Sequence, residues 1–344
     1  MPGPLEDVLG DKQLRREALK AISDAIDPAA HDGLMEIEVL GQTMFPPRVF
    51  ALRDGPAIAV NKSGLRAAYF EALEDVGVFS HANDADQAPA EHDNVAEKLN
   101  SLAVLVLMQP EYLTAINLRK SLLVSVSAED GPGLTRYRGL VRLEKKFIDS
   151  LLTSPLNKHN KSPTLWSHRR WLVPRLVQFG LMDILRDLTE VVMVAGEKHP
   201  RNYYAWHHAR YLMTLVDWNR EETGRDVLRA VLDWCKRHHD DTSGWSFLQS
   251  LLSTEGRYEQ ESVSRVLKDV LGLAYSLRWT NESVWVFLRT IAASKLSREP
   301  EYHEFLRTVA ALEAGIEDER AKKVLRTGAA WCVVYRQNTK VAGT

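Results

Sequence analysis

Hydrophobic residues from about residue 94 onward recur with the 3.6-residue period of an amphipathic helix. Short polar stretches with candidate helix N-caps, such as Asp241 and Asn281, separate these apolar faces. The sequence therefore predicts consecutive helices joined by short turns. The clearest faces are Leu181, Ile184, Leu185, Leu188, Val191 and Val192; Val227, Leu228, Val231 and Leu232; and Val263, Val266, Leu267, Val270 and Leu271.

A tryptophan recurs among these helices at a nearly constant spacing. A weaker copy of the same sequence motif has Ile116 in place of the tryptophan. Periods of this length are typical of stacked helical hairpins. Because one hairpin cannot bury its apolar faces alone, neighbouring hairpins are expected to stack. The repeated residues are Trp166, Trp206, Trp245 and Trp285, separated by 40, 39 and 40 residues.

We predict an all-α fold, an α-α superhelix whose stacked hairpins form a crescent-shaped solenoid. About five repeats and a C-terminal cap occupy residues 94–344, and Trp331 marks a degenerate last repeat or the cap. Each repeated tryptophan is expected to fill the seam between helices. Arg169 shares the helix face of Trp166 and is expected to bond carbonyl groups of the next repeat or a carboxylate.

Residues 1–93 are predicted to form a small irregular N-terminal region. Its apolar runs are short and broken by proline and glycine, which suits short strands or extended packing segments. These runs are Met35–Leu40, Val49–Leu52 and Ala57–Val60. Helices are expected at Leu14–Ile26 and Leu65–Val78, and a polar loop or linker at Ser80–Asp93.

Composition narrows the class of protein. The net charge of −2 argues against a nucleic-acid-binding surface. No apolar run is long enough for a transmembrane helix, and the N-terminus lacks the pattern of a secretory signal. The two cysteines, Cys235 and Cys332, form no disulfide framework, so a cytoplasmic protein is expected. The C-terminal Val341-Ala-Gly-Thr344 is not a prenylation signal.

Histidine pairs are the strongest candidate metal ligands in the chain. His207-His208 and His238-His239 are adjacent pairs, so on a helix their side chains point in different directions. Neither pair lies in a Cys/His pattern with zinc-site spacing. No metal site is expected in this chain.

The sequence of the repeats resembles that of the repeats in protein prenyltransferase α subunits. Arg201-Asn-Tyr-Tyr-Ala-Trp206 and Asn281-Glu-Ser-Val-Trp285 are close to the family pattern Asn-Tyr-x-x-Trp-x-x-Arg, and the resemblance covers roughly residues 94–300. Lys161-Ser-Pro-Thr-Leu-Trp166-Ser-His-Arg-Arg-Trp171 and the stretch Ala57–Gly64 are similar to the repeat-containing branch of that family, the α subunit of geranylgeranyltransferase type III.

This resemblance implies a function and a division of labour. Family α subunits embrace a β subunit that holds zinc and the isoprenoid diphosphate, so no cofactor is expected in this chain. It would be the non-zinc subunit of a heterodimeric protein geranylgeranyltransferase, inactive alone. It would help to stabilise diphosphate and to select the protein substrate. The branch implies a Rab geranylgeranyltransferase type of β subunit and a SNARE as substrate.

The resemblance also implies site residues. Negative charge grows on the departing diphosphate, and a nearby cation stabilises it. In the family a lysine five residues before one tryptophan reaches the diphosphate, which corresponds to Lys161 here. The candidate catalytic residues are Lys161, Tyr203 and Tyr204, and the candidate diphosphate ligands are Lys161, Arg201 and Asn202. Pro163 and Tyr204 depart from the farnesyltransferase pattern, which has Tyr and His there.

A different class of function stays open at this point. The chain could be a helical-repeat scaffold without enzymatic role, as Ile116 and Ala209 suggest, because they replace the repeat's Trp and Arg. Lys161 would then be a solvated lysine, and Tyr203 and Tyr204 would pack. The basic residues around two repeats would form a solvated face or a rim facing a partner: Lys158, Lys161, Arg169, Arg170, Arg175, Lys198 and Arg201.

Overall fold

The computed structural model describes residues 11–82, 95–127, 131–218, 221–254 and 257–341. Helices account for most of these residues, and a small three-stranded sheet lies near the N-terminus. The predicted all-α class is confirmed. Contacts between residues divide the chain into two compact units. The first comprises Met1–Asp183 and Glu190–His208, and the second comprises Ile184–Thr189 and Ala209–Thr344.

The predicted extended pieces of the first unit are strands. They are β1 (Glu36–Leu40), β2 (Ala51–Asp54) and β3 (Ala57–Asn61). The central strand, β3, runs parallel to β1 and antiparallel to β2. Because side chains alternate along a strand, one face of the sheet is apolar and packs into the unit. Ile37, Ile58 and Val60 on that face are buried.

Two helices flank this sheet, α1 (Lys12–Ala25) and α2 (Lys62–Ala82). Both predicted helices are therefore confirmed. The buried Asn61 begins α2, since its Oδ1 accepts from the backbone N–H of Ser63 at 2.9 Å. The predicted linker at residues 80–93 is wrong at its start, because α2 continues through Ala82. Residues 83–93 of that prediction lie outside the described residues.

Helical hairpins complete the first unit. The helices are α3 (Val95–Met108), α4 (Leu113–Ser125), α5 (Gly131–Thr153) and α6 (Pro163–Gln178), with a one-turn helix, Asn157–Asn160, before α6. Ser162 caps α6, because its hydroxyl accepts from the backbone N–H of Leu165 at 3.1 Å. Pro163 occupies the first turn of α6, where a missing N–H costs little.

Two helices contain the points at which the units divide. α7 (184–198) joins Ile184–Asp187, a π-helical turn Leu188–Val192 and Met193–Lys198. α8 is Tyr203–Met213. Leu188, Val191 and Val192 are buried, as the predicted apolar face requires.

The second unit continues the hairpin pattern. Its predicted apolar faces are buried, including Val227, Val231, Val263 and Leu267. Trp331 differs from the repeated tryptophans, because it is only half-buried in the middle of the last helix. The helices of this unit after α8 are α9 (Glu221–Arg237), α10 (Thr242–Ser253), α11 (Gln260–Ser276), α12 (Glu282–Ala293), α13 (Glu299–Ala314) and α14 (Glu319–Val341).

Candidate functional site

The repeated tryptophans lie in the interior of their units. Trp206, Trp245 and Trp285 are at most 1% exposed, and Trp166 is 4% exposed. In three repeats the indole N–H donates to the backbone carbonyl six residues earlier. Because all four rings are buried and these three indole N–H groups are bonded, the repeated tryptophans stabilise the fold. The three bonds are Trp166 to Asn160 at 2.7 Å, Trp245 to His239 at 2.9 Å and Trp285 to Trp279 at 2.8 Å.

The carbonyl that accepts from a tryptophan also accepts from an asparagine of the next repeat. In the first unit, Asn202 Nδ2 donates to the Asn160 carbonyl at 2.8 Å. In the second unit, Asn281 Nδ2 donates to the His239 carbonyl. Each asparagine is also the N-cap position of its own helix, four residues before the tryptophan. One carbonyl therefore joins two consecutive repeats in both units.

Removing these asparagines should affect the two repeats unequally. We expect Asn202→Ala to lower the free energy of unfolding by about 1–3 kcal/mol, because a buried carbonyl loses a donor and the N-cap bond to Ala205 is lost. Asn281→Ala should cost less, because Asn281 makes no side-chain cap bond and is only half-buried. Urea denaturation measures both values. An equal or reversed order would contradict this account of the shared carbonyl.

The position of Asn202 bears on its predicted role. Asn202 is 1% exposed, and its Oδ1 accepts from the backbone N–H of Ala205 at 3.2 Å while its Nδ2 donates to Asn160. Both ends of the amide are therefore engaged inside the fold. Since the side chain has no free group to offer to a diphosphate, we leave Asn202 out of the proposed binding site.

The other predicted site residues are exposed and lie close to Asn160 or Asn202 in the sequence. Lys161 and Arg201 are both exposed and each lies five residues before a repeated tryptophan. Their chain neighbours, Asn160 and Asn202, are joined by the 2.8 Å hydrogen bond. This bond therefore joins the two chain segments that carry Lys161 and Arg201. Arg201 has a φ of 60°, a left-handed conformation that non-glycine residues adopt at a cost of about 1 kcal/mol.

Two tyrosines extend this exposed surface. Tyr203 is 63% exposed and Tyr204 is 38% exposed, so both residues belong to the surface. Tyr203 stacks on His207, with 5.7 Å between ring centroids, and meets Tyr204 edge to face at 5.6 Å. These residues lie at the start of α8, and Lys161 lies just before α6. Helix N-termini favour anions, so this basic surface can bind a phosphate-type group.

A buried ion pair joins the repeat of Ile116 to that of Trp166. Arg119 donates from Nε and Nη2 to Glu144, at 2.9 and 2.6 Å, and His168 Nε2 donates to the same carboxylate at 2.7 Å. All three residues are at most 3% exposed. Burial raises the pKa of Glu144, but Arg119 and His168 outweigh it and lower this pKa to about 2. The carboxylate therefore stays ionised at neutral pH.

A second buried ion pair joins α5 to α6, and its arginine also bonds a histidine of the Trp206 repeat. Arg169 Nε donates to Asp149 at 2.7 Å, and Lys145 donates to the other oxygen of Asp149 at 2.6 Å. Arg169 Nη1 also donates to His208 Nε2 at 2.6 Å. Burial, and after it the charge of Arg169, lowers the pKa of His208 well below its usual range, so the imidazole is neutral and can accept.

The burial of Arg169 corrects one reading of the basic residues. Arg169 is 0% exposed, so it belongs to no solvated face or partner-facing rim, whereas Lys158, Lys161, Arg170, Lys198 and Arg201 are exposed. Arg175 is half-buried and stacks on Trp171, with its guanidinium 3.6 Å from the ring centroid. The expectation that Arg169 bonds a carboxylate agrees with its contact with Asp149.

Sequence reasoning did not find the partners in these ion pairs. Glu144, Asp149, His168 and His208 were all missed. A signal for the histidines was present, because His168 and His208 each lie two residues after a repeated tryptophan. The two carboxylates both lie on α5 and have no equivalent spacing in the other repeats.

Within the described ranges, no group of three or more His, Cys, Asp or Glu side chains is placed to hold a metal ion. The same part of the chain contains no helix long and apolar enough to cross a membrane.

The hairpins and their shared carbonyls define a helical-repeat protein, and known proteins are similar to parts of it. A family model described as the ECM9 middle domain matches residues 165–272. Protein prenyltransferase alpha subunit repeat-containing protein 1 of Danio rerio is 28% identical over 169 residues, which cover 44% of this chain and 36% of that protein. The resemblance to this branch of prenyltransferase α-subunit-like repeat proteins is therefore confirmed.

Two further relatives are similar over other shares of the chain. Protein ECM9 of Saccharomyces cerevisiae is 23% identical over 198 residues, 58% of this chain and 50% of that protein. Geranylgeranyl transferase type-2 subunit alpha of Candida albicans is 25% identical over 130 residues, 38% of this chain and 34% of that protein. The chain thus spans about a third to a half of the length of the curated relatives it matches.

Proposed function

We propose that this chain is the α, non-zinc subunit of a heterodimeric protein geranylgeranyltransferase. The observation that carries the proposal is the exposed pair Lys161 and Arg201, at matching positions of two consecutive repeats that the Asn202 side chain joins by a hydrogen bond to the Asn160 carbonyl. The similarity to prenyltransferase α-subunit-like proteins supports it. A β subunit of the Rab geranylgeranyltransferase type would hold zinc and geranylgeranyl diphosphate.

The proposed contribution of this chain is electrostatic. As the cysteine sulfur of the protein substrate forms a bond to the isoprenoid carbon, the carbon–oxygen bond breaks and charge grows on the diphosphate. Lys161 and Arg201 would stabilise that charge, and the hydroxyl groups of Tyr203 and Tyr204 would donate hydrogen bonds to it. The surrounding surface would contact the β subunit and take part in selecting a protein substrate, which we propose is a SNARE.

Reconstitution tests the proposal. The purified chain and the β subunit, each alone and then mixed, are incubated with labelled geranylgeranyl diphosphate and a substrate protein. Transfer of label is expected only in the mixture, because the zinc and the lipid lie on one chain and the stabilising cations on the other. Transfer by the β subunit alone at the rate of the mixture would contradict the proposal.

Lys161→Ala should lower the turnover of this heterodimer at least tenfold without weakening its assembly. An electrostatic contact to charge that develops in the transition state is typically worth about a hundredfold in rate, and an exposed lysine supplies less. Lys158→Ala is the matched control, because Lys158 is another exposed lysine three residues earlier. Unchanged turnover in Lys161→Ala would remove the catalytic role while leaving the subunit role intact.

A non-catalytic scaffold for protein interactions is the second candidate function. The inward orientation of Asn202 favours it, because a residue at a proposed ligand position serves the fold instead. Ala209 also stands where the preceding repeats carry Arg119 and Arg169. Under this alternative, the chain would bind a partner protein but confer no geranylgeranyl transfer in the reconstitution.

A further inference from the structure

A groove of about 600 Å³ lies on the outer face of the sheet in the first unit. The small side chains Ala57 and Ala59 of β3 form its floor, beside Leu52 of β2, which is 44% exposed. Val194 of α7 and Pro155 after α5 also line the groove. The groove is open to solvent. Its lining includes apolar side chains that a bound molecule could contact.

Acidic residues dominate the lining of this groove. Five carboxylates and two cations line it, which gives a formal charge of −3, compared with −2 for the whole chain. One of the cations, Arg53, is engaged with the backbone, because its Nη2 donates to the Ala30 carbonyl at 2.6 Å. The carboxylates are Glu36, Glu38, Asp54, Glu190 and Glu197, and the other cation is Lys198.

The spacing of two of these carboxylates suits an extended chain. Glu36 and Glu38 are exposed alternate residues of β1 and pair in register with Ala57 and Ala59. Alternate residues of a strand point to one side and lie about 7 Å apart. An extended peptide repeats its own side chains at the same distance. Basic residues at alternate positions of such a peptide can therefore meet Glu36 and Glu38 together.

The edge of β1 is already occupied, so a bound segment cannot extend the sheet there and has to use the exposed side chains of this face. The backbone N–H groups of Met35 and Ile37 donate to Ser150 Oγ and Ser154 Oγ of the neighbouring helix region, each at 2.9 Å. A new strand added at this edge would lose those donors. Contacts through side chains over Ala57 and Ala59 remain possible.

The two longest segments of this chain outside the described residues do not match the groove in charge. Residues 1–10 and 83–94 contain no lysine or arginine and carry two and four acidic residues, respectively. They would repel the carboxylates of the groove. Charge complementarity therefore favours a separate polypeptide as the occupant.

We propose that this groove binds an extended, basic segment of a partner protein, with lysine or arginine at alternate positions and small residues between them. The basic side chains pair with Glu36 and Glu38, and the small residues lie on Ala57, Ala59 and Leu52. This inference does not rest on the proposed prenyltransferase function.

Fluorescence anisotropy with the full chain tests the proposal. The probe is a fluorescein-labelled octapeptide of alternating lysine and alanine, and an octapeptide of alternating glutamate and alanine is the comparison. Saturable binding is expected for the basic peptide alone, weakening as salt rises. The double variant Glu36→Gln/Glu38→Gln should weaken binding of the basic peptide about fivefold, since each exposed ion pair contributes little on its own.

A matched control and a mapping experiment make the result decisive. Glu304→Gln/Glu317→Gln removes two carboxylates that do not line the groove, so it should leave binding unchanged. A photo-crosslinking residue in place of one alanine of the peptide should label Leu52, Ala57–Ala59 or Val194. Absence of saturable binding, equal weakening by both double variants, or crosslinks confined to other regions would each overturn the proposal.

Discussion

Arg169→Ala is expected to lower the free energy of unfolding by about 3–5 kcal/mol, the usual cost of removing one partner of a buried ion pair. Arg169 is fully buried and donates to Asp149 at 2.7 Å and to His208 at 2.6 Å. Without the guanidinium, Lys145 alone balances the buried carboxylate, and the neutral His208 loses a donor. Urea denaturation of the variant and the unmodified protein measures the loss.

The exposed neighbour Arg170 provides the control for this measurement. Arg170→Ala should change the free energy of unfolding by no more than about 0.5 kcal/mol. Adding Asp149→Ala to Arg169→Ala should cost less than the sum of the two single changes, because the double variant no longer leaves a buried carboxylate without its guanidinium. Strictly additive losses, or similar losses at Arg169 and Arg170, would show that the ion pair does not stabilise the first unit.

Acid should destabilise the folded protein before any carboxylate of the ion pairs is protonated. Burial lowers the pKa of His159 from 6.5 to about 4 in the folded state. As the pH falls, the unfolded state therefore binds this proton first. The free energy of unfolding should be unaffected above pH 6.5 and fall by about 3 kcal/mol between pH 6.5 and 4 through His159 alone. Burial lowers the pKa of His168 and His208 as well, so they act in the same direction.

The pH dependence has an internal test. His159 Nε2 donates to the Leu107 carbonyl at 2.9 Å, a bond that the amide of glutamine can replace. His159→Gln should therefore flatten the fall in stability between pH 6.5 and 4, whatever it costs at neutral pH. Below about pH 4.5, the lowered pKa of Glu144 adds a further loss that this variant should retain. An unchanged slope above pH 4.5 would contradict the role of His159.

The repeat architecture was predictable because its signals lie among residues that are close in sequence. The 3.6-residue period identifies each helix, and the tryptophan spacing identifies the hairpin, since both depend on residues close in sequence. The prediction that a linker begins at Ser80 was wrong, because α2 continues through Ala82. Val78 and Phe79 continue the apolar pattern up to the start of the predicted loop, and the sequence beyond them contains no signal for the extra residues of α2.

The candidate site was predictable only in part. The exposure of Lys161 follows from its place before an N-cap, outside the helix. The burial of Asn202 does not follow from its own repeat, because its acceptor, the Asn160 carbonyl, lies 42 residues earlier. The partners of Arg169 and the groove beside β1 likewise join residues far apart in sequence. Such contacts depend on how repeats pack, which periodicity alone does not determine.

Binding of this chain to a prenyltransferase β subunit is the property on which the proposed function depends most. Analytical ultracentrifugation of the two purified chains, separately and mixed at equal micromolar concentration, measures it directly. We expect the mixture to sediment as one heterodimer, with Lys161→Ala behaving like the unmodified chain. Two independent species in the mixture, at concentrations where each chain alone is folded, would contradict the assignment as a prenyltransferase subunit.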